Sequence, residues 1–358
     1  MNKIKIDSYM HGVHLIGHGG FDKLIYRDDL PIPIPNENEV LIQVSAAGVN
    51  NTDINTRLGW YSKKIIQETN QGGDKGFQEL ENDSGSWSGE GLAFPIIQGA
   101  DVCGYIVKVG KSIDDSRIGE RVIVRTMQNN YLGMKTMGSE IHGGFAQYTC
   151  VDSNEAFLIN SNWTDIELAS IPCSYSTAEG MLQKASVKKE NVLITGASGG
   201  VGSAAVQLAS LRGANVFAQC SQEKSEDLKK IGAYKTINRN DSLIKNLGEN
   251  SIDLVVDLVG GNQWPQILEI LKPGGRYVTS GAIAGPIVEL DLRTLYLKDL
   301  TFYGSTFNNV SIFNDLIEYI EQNKIQPLVA KTFPLKDIKQ AQIEFMEKKF
   351  IGKLVLIP

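Results

Sequence analysis

The chain has 358 residues, enough for two domains or one large one. Its 42% hydrophobic and 21% charged residues are ordinary values for a soluble globular protein with a core of normal size. A net charge of −6 argues against nucleic acid as a partner, because phosphate binding needs basic surface, and excludes nothing else.

The N-terminal Met1–Asp7 is followed by His, Gly and charges and lacks the apolar stretch of a signal peptide. No run approaches the length of a membrane span, so the expected location is the cytoplasm, with no membrane partner. The four cysteines, Cys103, Cys150, Cys173 and Cys220, form no C-x-x-C pair and are too scattered for a disulfide framework. That fits a reducing compartment.

The first stretch reads as strands and turns. Pro-rich Pro31–Pro35 introduces a strand at Val40–Val44, and further strands are expected at Tyr105–Gly110 and Arg121–Val124. Few segments carry a helical period, so a β-rich domain is expected up to about residue 160. His11, His14 and His18 cluster near the start; on a strand 14 and 18 share a face, and they read as polar groups on an edge strand rather than metal ligands. His142, just before Gly143-Gly144, reads as a turn residue. One polar, Gly/Asn/Ser-rich stretch, 62–93, stands apart and reads as a surface loop, with a partial lid over the active site as the alternative.

After residue 160 apolar strands alternate with helices. Strands are expected at Asn191–Thr195, Asn215–Gln219, Ile252–Asp257 and Gly275–Ser280, and helices at Ser203–Arg212 and Ser225–Ile231. This alternation predicts a doubly wound parallel sheet. Leu300–Gly304 reads as an apolar edge strand, which invites pairing. A helix is expected at Ser311–Gln322. Phe345 to Lys353 reads as a basic turn before a terminal strand, Leu354–Ile357.

Gly196, Ala197, Ser198, Gly199, Gly200, Val201 and Gly202 lie between a buried strand and a helix, the context of a dinucleotide phosphate loop. Glycines let backbone N–H groups approach a pyrophosphate, and the helix N-terminus favours its charge. The next strand ends Gln219-Cys220-Ser221-Gln222, with no carboxylate at the place where NAD enzymes hold the ribose 2′-hydroxyl. Ser221 can donate a hydrogen bond, and Lys224 and Arg239 add positive charge, so NADP(H) is expected over NAD; Glu223 is the counter-indication.

The chain resembles the medium-chain dehydrogenase/reductase superfamily, in its quinone oxidoreductase (zeta-crystallin-like) branch. The resemblance rests on Gly17–Gly20, Ala47–Asp53, Gly99–Gly104, Gly143–Tyr148 and the loop at 196–202, in that order. It implies a GroES-like β-rich catalytic domain at 1–160, rejoined by 308–358, with a Rossmann NADP-binding domain at 161–307. It also implies an active site in the cleft between them, and a homodimer. The positions matching the catalytic zinc ligands of related alcohol dehydrogenases are Asn50, Ala100-Asp101 and Cys173. Asn50 and Ala100 are not plausible ligands, a catalytic zinc needs three, and residues 126–142 hold no cysteine for a structural zinc. No metal is expected. The family's quinone oxidoreductase pattern matches at Asn50, Asp53, Arg57 and Tyr61 and departs at Asn55.

By that resemblance Asn50, Asp53, Arg57 and Tyr61 are the catalytic candidates: Asn50 faces the nicotinamide or the substrate oxygen, and Tyr61 is a wall or proton donor. The structural alternative for Asp53 and Arg57 is an ion pair bracing the cleft. Cys173 is expected as a buried thiol near the nicotinamide. Thr177, Gly260, Gly281, Ala282, Ile283, Phe307 and Asn308 match cofactor contacts. The implied activity is NADPH-dependent reduction of a quinone or α,β-unsaturated carbonyl without zinc. The alternatives are an alcohol/aldehyde dehydrogenase, an enoyl-CoA-type reductase, or an NADPH-binding protein with little turnover.

Overall fold

The computed structural model describes residues 8–77, 91–130 and 133–358. Two lobes are built on separate sheets. In the first, Glu39–Gly48 is central: it pairs antiparallel with Cys103–Val109, Tyr148–Asp152 and the C-terminal strand Lys353–Ile357. Its Val40, Ile42, Val44 and Ala47 join Val102, Ile106, Phe145 and Leu356 in one core. The alternation anticipated at Val40–Val44 is therefore part of a longer strand, buried on both faces in its second half.

The second lobe is a six-stranded parallel sheet in the order Lys235–Asn238, Asn215–Cys220, Asn191–Ile194, Ile252–Asp257, Leu271–Thr279, Thr301–Gly304. Numbered along the chain that order is 3-2-1-4-5-6, a Rossmann sheet whose strand order reverses between Asn191–Ile194 and Ile252–Asp257. Apolar runs such as Val192-Leu193-Ile194 and Leu254-Val255-Val256 are fully buried because helices cover both faces. Gly200–Leu211 and Pro172–Lys184 pack on one side, and Trp264–Ile270 on the other. The architecture is a GroES-like β-rich lobe plus a Rossmann lobe. Thr301–Gly304 lies at the sheet's edge.

Several elements differ from expectation. Asn51–Leu58 is a helix inside the stretch read as strands and turns. It is almost wholly buried, including Thr52, Asp53, Asn55 and Arg57, so it has no apolar stripe to betray it. Pro172–Lys184 is a helix for the same reason: Ser174, Ser176 and Glu179 are as buried as Met181 and Leu182. Ile338–Glu347 is helical through Phe345, which leaves the basic turn only 348–352. Tyr9–Leu15 is the middle strand of a three-stranded sheet, not an edge; it ends before His18, whose Nδ1 lies 2.7 Å from the Thr56 carbonyl. His142 Nδ1 accepts from the Ile97 amide at 3.1 Å, beside the turn.

The C-terminal segment serves both lobes. Helix Val310–Glu321 packs on Pro172–Lys184, and its Phe313 meets Phe157 of the first lobe with ring centroids 4.8 Å apart. Strands Val329–Pro334 and Lys353–Ile357 then complete the first sheet. Of the polar insertion, 62–77 runs over the surface, with Lys63, Lys64, Ile66 and Gln67 exposed, and is anchored at buried Ser62, Ile65 and Thr69: Thr69 donates its amide to Ile283 O across the lobes at 3.1 Å, and Phe21 donates to Asp74 O at 3.1 Å. Residues 78–90 lie outside the described residues.

Phe313 is 1% exposed at the lobe junction. Phe313→Ala is expected to cost about 3–5 kcal/mol, read as a lowered midpoint in thermal or denaturant unfolding. A midpoint unchanged from wild type would mean that the junction does not bear on stability.

Candidate active site in the interlobe cleft

A cavity of about 560 Å3 opens between the lobes at the C-terminal ends of the parallel strands. A larger recess of about 800 Å3 on the first lobe is lined by His14, His142 and Cys150, but its described lining holds no lysine or arginine and no glycine loop. The chemistry concentrates in the cleft.

One end of the cleft is the start of helix Gly200–Leu211. Its N-cap, Gly199, has no side chain, so the first N–H groups are left without a capping oxygen beside the cavity. A Cβ on Gly202 would come within 2.2 Å of Gly196 O, so only glycine lets the helix start this close to the loop. Gly196, at φ 58°, turns the chain. An uncapped helix terminus in a glycine cradle fits a pyrophosphate. Gly196, Ser198, Gly199, Gly200, Val201 and Gly202 line the cavity; Ala197 is fully buried behind it, donating to Gln219 O at 3.0 Å.

Beyond the helix start lie Ser221, Lys224 and Arg239, all on the cavity wall. Lys224 Nζ donates to Lys348 O at 2.5 Å and to Ser198 Oγ at 3.4 Å. Glu223 is not on the wall; its carboxylate is drawn below the usual range, first by the Ser221 hydroxyl. The opposite wall carries Gly260, Gly281, Ala282 and Ile283, with Thr177 nearer the first lobe. Buried Asp257 organises that wall, accepting from the amides of Val259 at 2.9 Å and Gly260 at 3.1 Å, from Thr195 Oγ1 at 2.6 Å and from Tyr277 Oη at 2.7 Å. Two expected cofactor residues are elsewhere. Phe307 is 57% exposed and off the cavity, and Asn308 braces helix Pro172–Lys184 by donating to Ser176 O at 2.9 Å.

The floor belongs to the first lobe. Asp101 is 0% exposed. Its Oδ1 accepts from the Cys173 amide at 2.6 Å, and its Oδ2 accepts from Asn50 Nδ2 at 2.8 Å and Lys353 Nζ at 2.7 Å. Lys353, 3% exposed, also donates to Asn50 Oδ1. The strand register explains the meeting: Val355 pairs with Gly48 and Leu356 with Ala47, so the same antiparallel register brings Lys353 level with Asn50. Asn50 lines the cavity as expected, but its amide donates to Gly48 O and Asp101 and accepts from Lys353, which makes it a holder of the lysine.

The expected Asp53–Arg57 ion pair is not formed. Asp53 is buried beneath the floor, accepting from the amides of Asn50 at 2.7 Å and Gly99 at 3.2 Å; burial pushes its carboxyl up to about 7. Arg57 points away, donating to Gln342 at 2.8 Å and Gly19 O at 2.9 Å and stacking on Phe21; burial lowers it to about 10. One helical turn separates the two, and each is satisfied by a different neighbour. Tyr61 is on the cavity wall with its hydroxyl 3.2 Å from Thr52 Oγ1.

These donors do not fit a zinc ion. Cys173 is the one sulfur donor on the floor, Asn50 and Ala100 supply no ligand, and both oxygens of Asp101 are committed to N–H donors. Among the described residues no three His, Cys, Asp or Glu side chains converge. Neither Lys353 nor Lys348 was expected in the site from the sequence. Lys348 also lines the cleft, with Nζ 3.2 Å from Asn51 Oδ1 and 3.7 Å from the Phe345 ring centre; burial, then Lys224 and Lys353, lowers it to about 7. The available signal was a lysine opening an otherwise apolar strand, Lys353-Leu354-Val355-Leu356.

A β-rich lobe facing a Rossmann lobe with such a cleft defines a nicotinamide-dinucleotide oxidoreductase. Residues 36–161 match the family model for the alcohol dehydrogenase GroES-like domain, and residues 200–322 match that for zinc-binding dehydrogenase. A solved structure from Sinorhizobium meliloti 1021, provisionally assigned as an alcohol dehydrogenase, is 41% identical with a TM-score of 0.87, covering 99% of this chain and 98% of that one. Quinone oxidoreductase from Sus scrofa is 26% identical over 97% of this chain and 98% of its own length. The NAD-dependent alcohol dehydrogenase of Saccharolobus solfataricus is 27% identical over 98% and 100%. The chain belongs to the medium-chain dehydrogenase/reductase superfamily.

All four thiols are raised by burial, Cys150 and Cys173 to about 12. In mildly alkaline buffer the folded protein is expected to react slowly with Ellman's reagent and quickly once unfolded. A fast-reacting Cys173 in the folded state would contradict this description of the floor.

Proposed function

We propose that this chain is an NADPH-dependent reductase of quinones or α,β-unsaturated carbonyls, acting without zinc, in the quinone oxidoreductase branch. The observation that carries the reading is the floor of the cleft, where an amide, a carboxylate and an ammonium interlock in place of a ligand set for a metal. Without a Lewis acid to polarise an alcohol, an already activated double bond is the easier hydride acceptor. When bound, the reduced dinucleotide supplies that hydride.

The residues divide the work. The N–H groups at Gly200, Val201 and Gly202, the uncapped first turn of the helix, receive the pyrophosphate. Ser221, Lys224 and Arg239 receive the ribose 2′-phosphate, which a carboxylate on the wall would repel; Glu223 is not among the residues lining the cavity, and its carboxylate is bonded to the Ser221 hydroxyl. Gly260, Gly281, Ala282, Ile283 and Thr177 flank the nicotinamide. Tyr61 walls the acceptor, and Asn50 positions the floor. Asp53 and Arg57 support the helix from behind. Cys173 is an uncharged thiol there. The cofactor preference rests on the strand end, since relatives include both quinone oxidoreductases and NAD-dependent alcohol dehydrogenases.

Two copies pair through the exposed edge strand Thr301–Gly304, next to which Leu292, Tyr296 and Leu297 are each more than 60% exposed. Light scattering is expected to give a dimer mass, and a monomer would refute the pairing. No helix among the described residues is long and apolar enough to cross a membrane.

Oxidation of NADPH assayed with quinones, enones, aldehydes and, in reverse, alcohols tests the reading. Quinones or enones are expected to turn over fastest. Turnover confined to aldehydes and alcohols would favour an alcohol dehydrogenase, and tight NADPH binding with no turnover would favour a binding protein. Lys224→Ala is expected to weaken NADPH by roughly 10- to 100-fold while sparing NADH, the loss of one charge-assisted hydrogen bond. Equal weakening of both would contradict the 2′-phosphate assignment.

A further inference from the structure

We propose that Lys353 is a catalytic residue whose ammonium, seated on Asp101 and Asn50 at the cleft floor, holds the acceptor's carbonyl oxygen and protonates it as charge develops. The inference rests on the reading of the chain as a reductase of conjugated carbonyls or quinones.

An ammonium has three N–H donors. Two go to Asn50 Oδ1 and Asp101 Oδ2, and no protein partner is found for the third among the described residues, while the side chain lines the cleft. A buried cation with no counter-ion would be costly, and Asp101 compensates it. The pair itself is neutral, so an oxyanion formed beside it meets an aligned donor whose charge Asp101 already compensates.

Asn50 cannot serve instead, since its amide hydrogens go to Gly48 O and Asp101 Oδ2. The location is also apt. A Cβ added to Gly200 would come within 2.8 Å of Lys353 Cδ, so the lysine stem runs against the start of the dinucleotide helix while its head reaches the floor. Cofactor end and acceptor end meet at this side chain.

The step balances. The acceptor gains a hydride at carbon from the reduced nicotinamide dinucleotide, which is oxidised by two electrons. The π pair moves onto the carbonyl oxygen. An N–H bond of Lys353 breaks as an O–H bond forms, giving an enol or, from a quinone, the keto tautomer of the hydroquinone, and the neutral amine recovers its proton from water. Either product then tautomerises in solvent, the enol to the ketone and the keto tautomer to the hydroquinone by moving its ring proton to the second oxygen.

The test uses the full-length protein with its dinucleotide and two readouts. p-Nitrophenol, bound beside the oxidised dinucleotide and titrated by absorbance, mimics the developing oxyanion without reacting. In wild type its phenolate is expected to be stabilised by about tenfold, one unit in its titration. Lys353→Met combined with Asp101→Asn removes the ion pair without stranding a charge. This variant is expected to abolish the probe's shift and to lower kcat on enones or quinones by about 100-fold, with NADPH affinity and unfolding midpoint near wild type. If it keeps both the probe shift and kcat, Lys353 is only the counter-ion of Asp101, and the proposal is overturned.

Should that variant not fold, Lys353→Arg retains the charge but holds its proton. It is expected to keep the probe shift and lose kcat, and undiminished kcat would overturn the protonation step. A wild type that reduces no conjugated acceptor, yet shifts the probe only when Lys353 is present, would defeat the functional reading and leave the oxyanion site standing.

Discussion

The ion pair between Lys353 and Asp101 is the contact on which the floor of the cleft depends. Asp101 is wholly buried, and a buried carboxylate with no partner costs several kcal/mol. Its partners come from three other places in the chain: Asn50 at the head of a helix, Cys173 at the start of another, and Lys353 at the start of the last strand. None is close to the others in sequence. The floor is therefore complete only when the C-terminal strand has paired with Glu39–Gly48, which ties formation of the site to completion of the first sheet.

The same short turn organises the cofactor end. Between 348 and 353 the chain accepts Lys224 at Lys348 O, donates from Gly352 to Ser198 O at 3.0 Å, and places Lys353 on the floor. Residues at most five apart thus touch the strand end, the glycine loop and the floor of the cleft. The turn is held at Lys348 by a left-handed backbone, φ 54°, closing helix Ile338–Glu347. This compact device couples the two lobes at the point where hydride transfer requires them to be in register.

Much of the fold was legible in the residues. The Rossmann lobe announces itself because parallel strands buried on both faces are continuous apolar runs, as at Val192-Leu193-Ile194, and because the glycine loop lies between strand and helix. The helices Asn51–Leu58 and Pro172–Lys184 were hidden because polar groups are buried all round them, leaving no 3.6-residue stripe. In the site, the glycine loop, Ser221, Lys224 and Arg239 all reach the cavity. Asp53 and Arg57 do not pair, because a spacing of one helical turn says nothing of what each side chain meets beyond the helix. Phe307 and Asn308 lie off the cavity. Lys353 was not anticipated, because its partners are set by strand register across some 300 residues, which local sequence does not encode.

On the proposed reading, the positive charge on the cleft floor belongs to Lys353, and hydride transfer proceeds without a metal ion. Its most direct test is exhaustive treatment of the purified protein with a strong chelator, followed by metal analysis and NADPH oxidation with a responsive quinone or enone. The account predicts a metal-free protein with an unchanged rate and no gain when zinc is restored. A rate lost with the metal and recovered with zinc would contradict it.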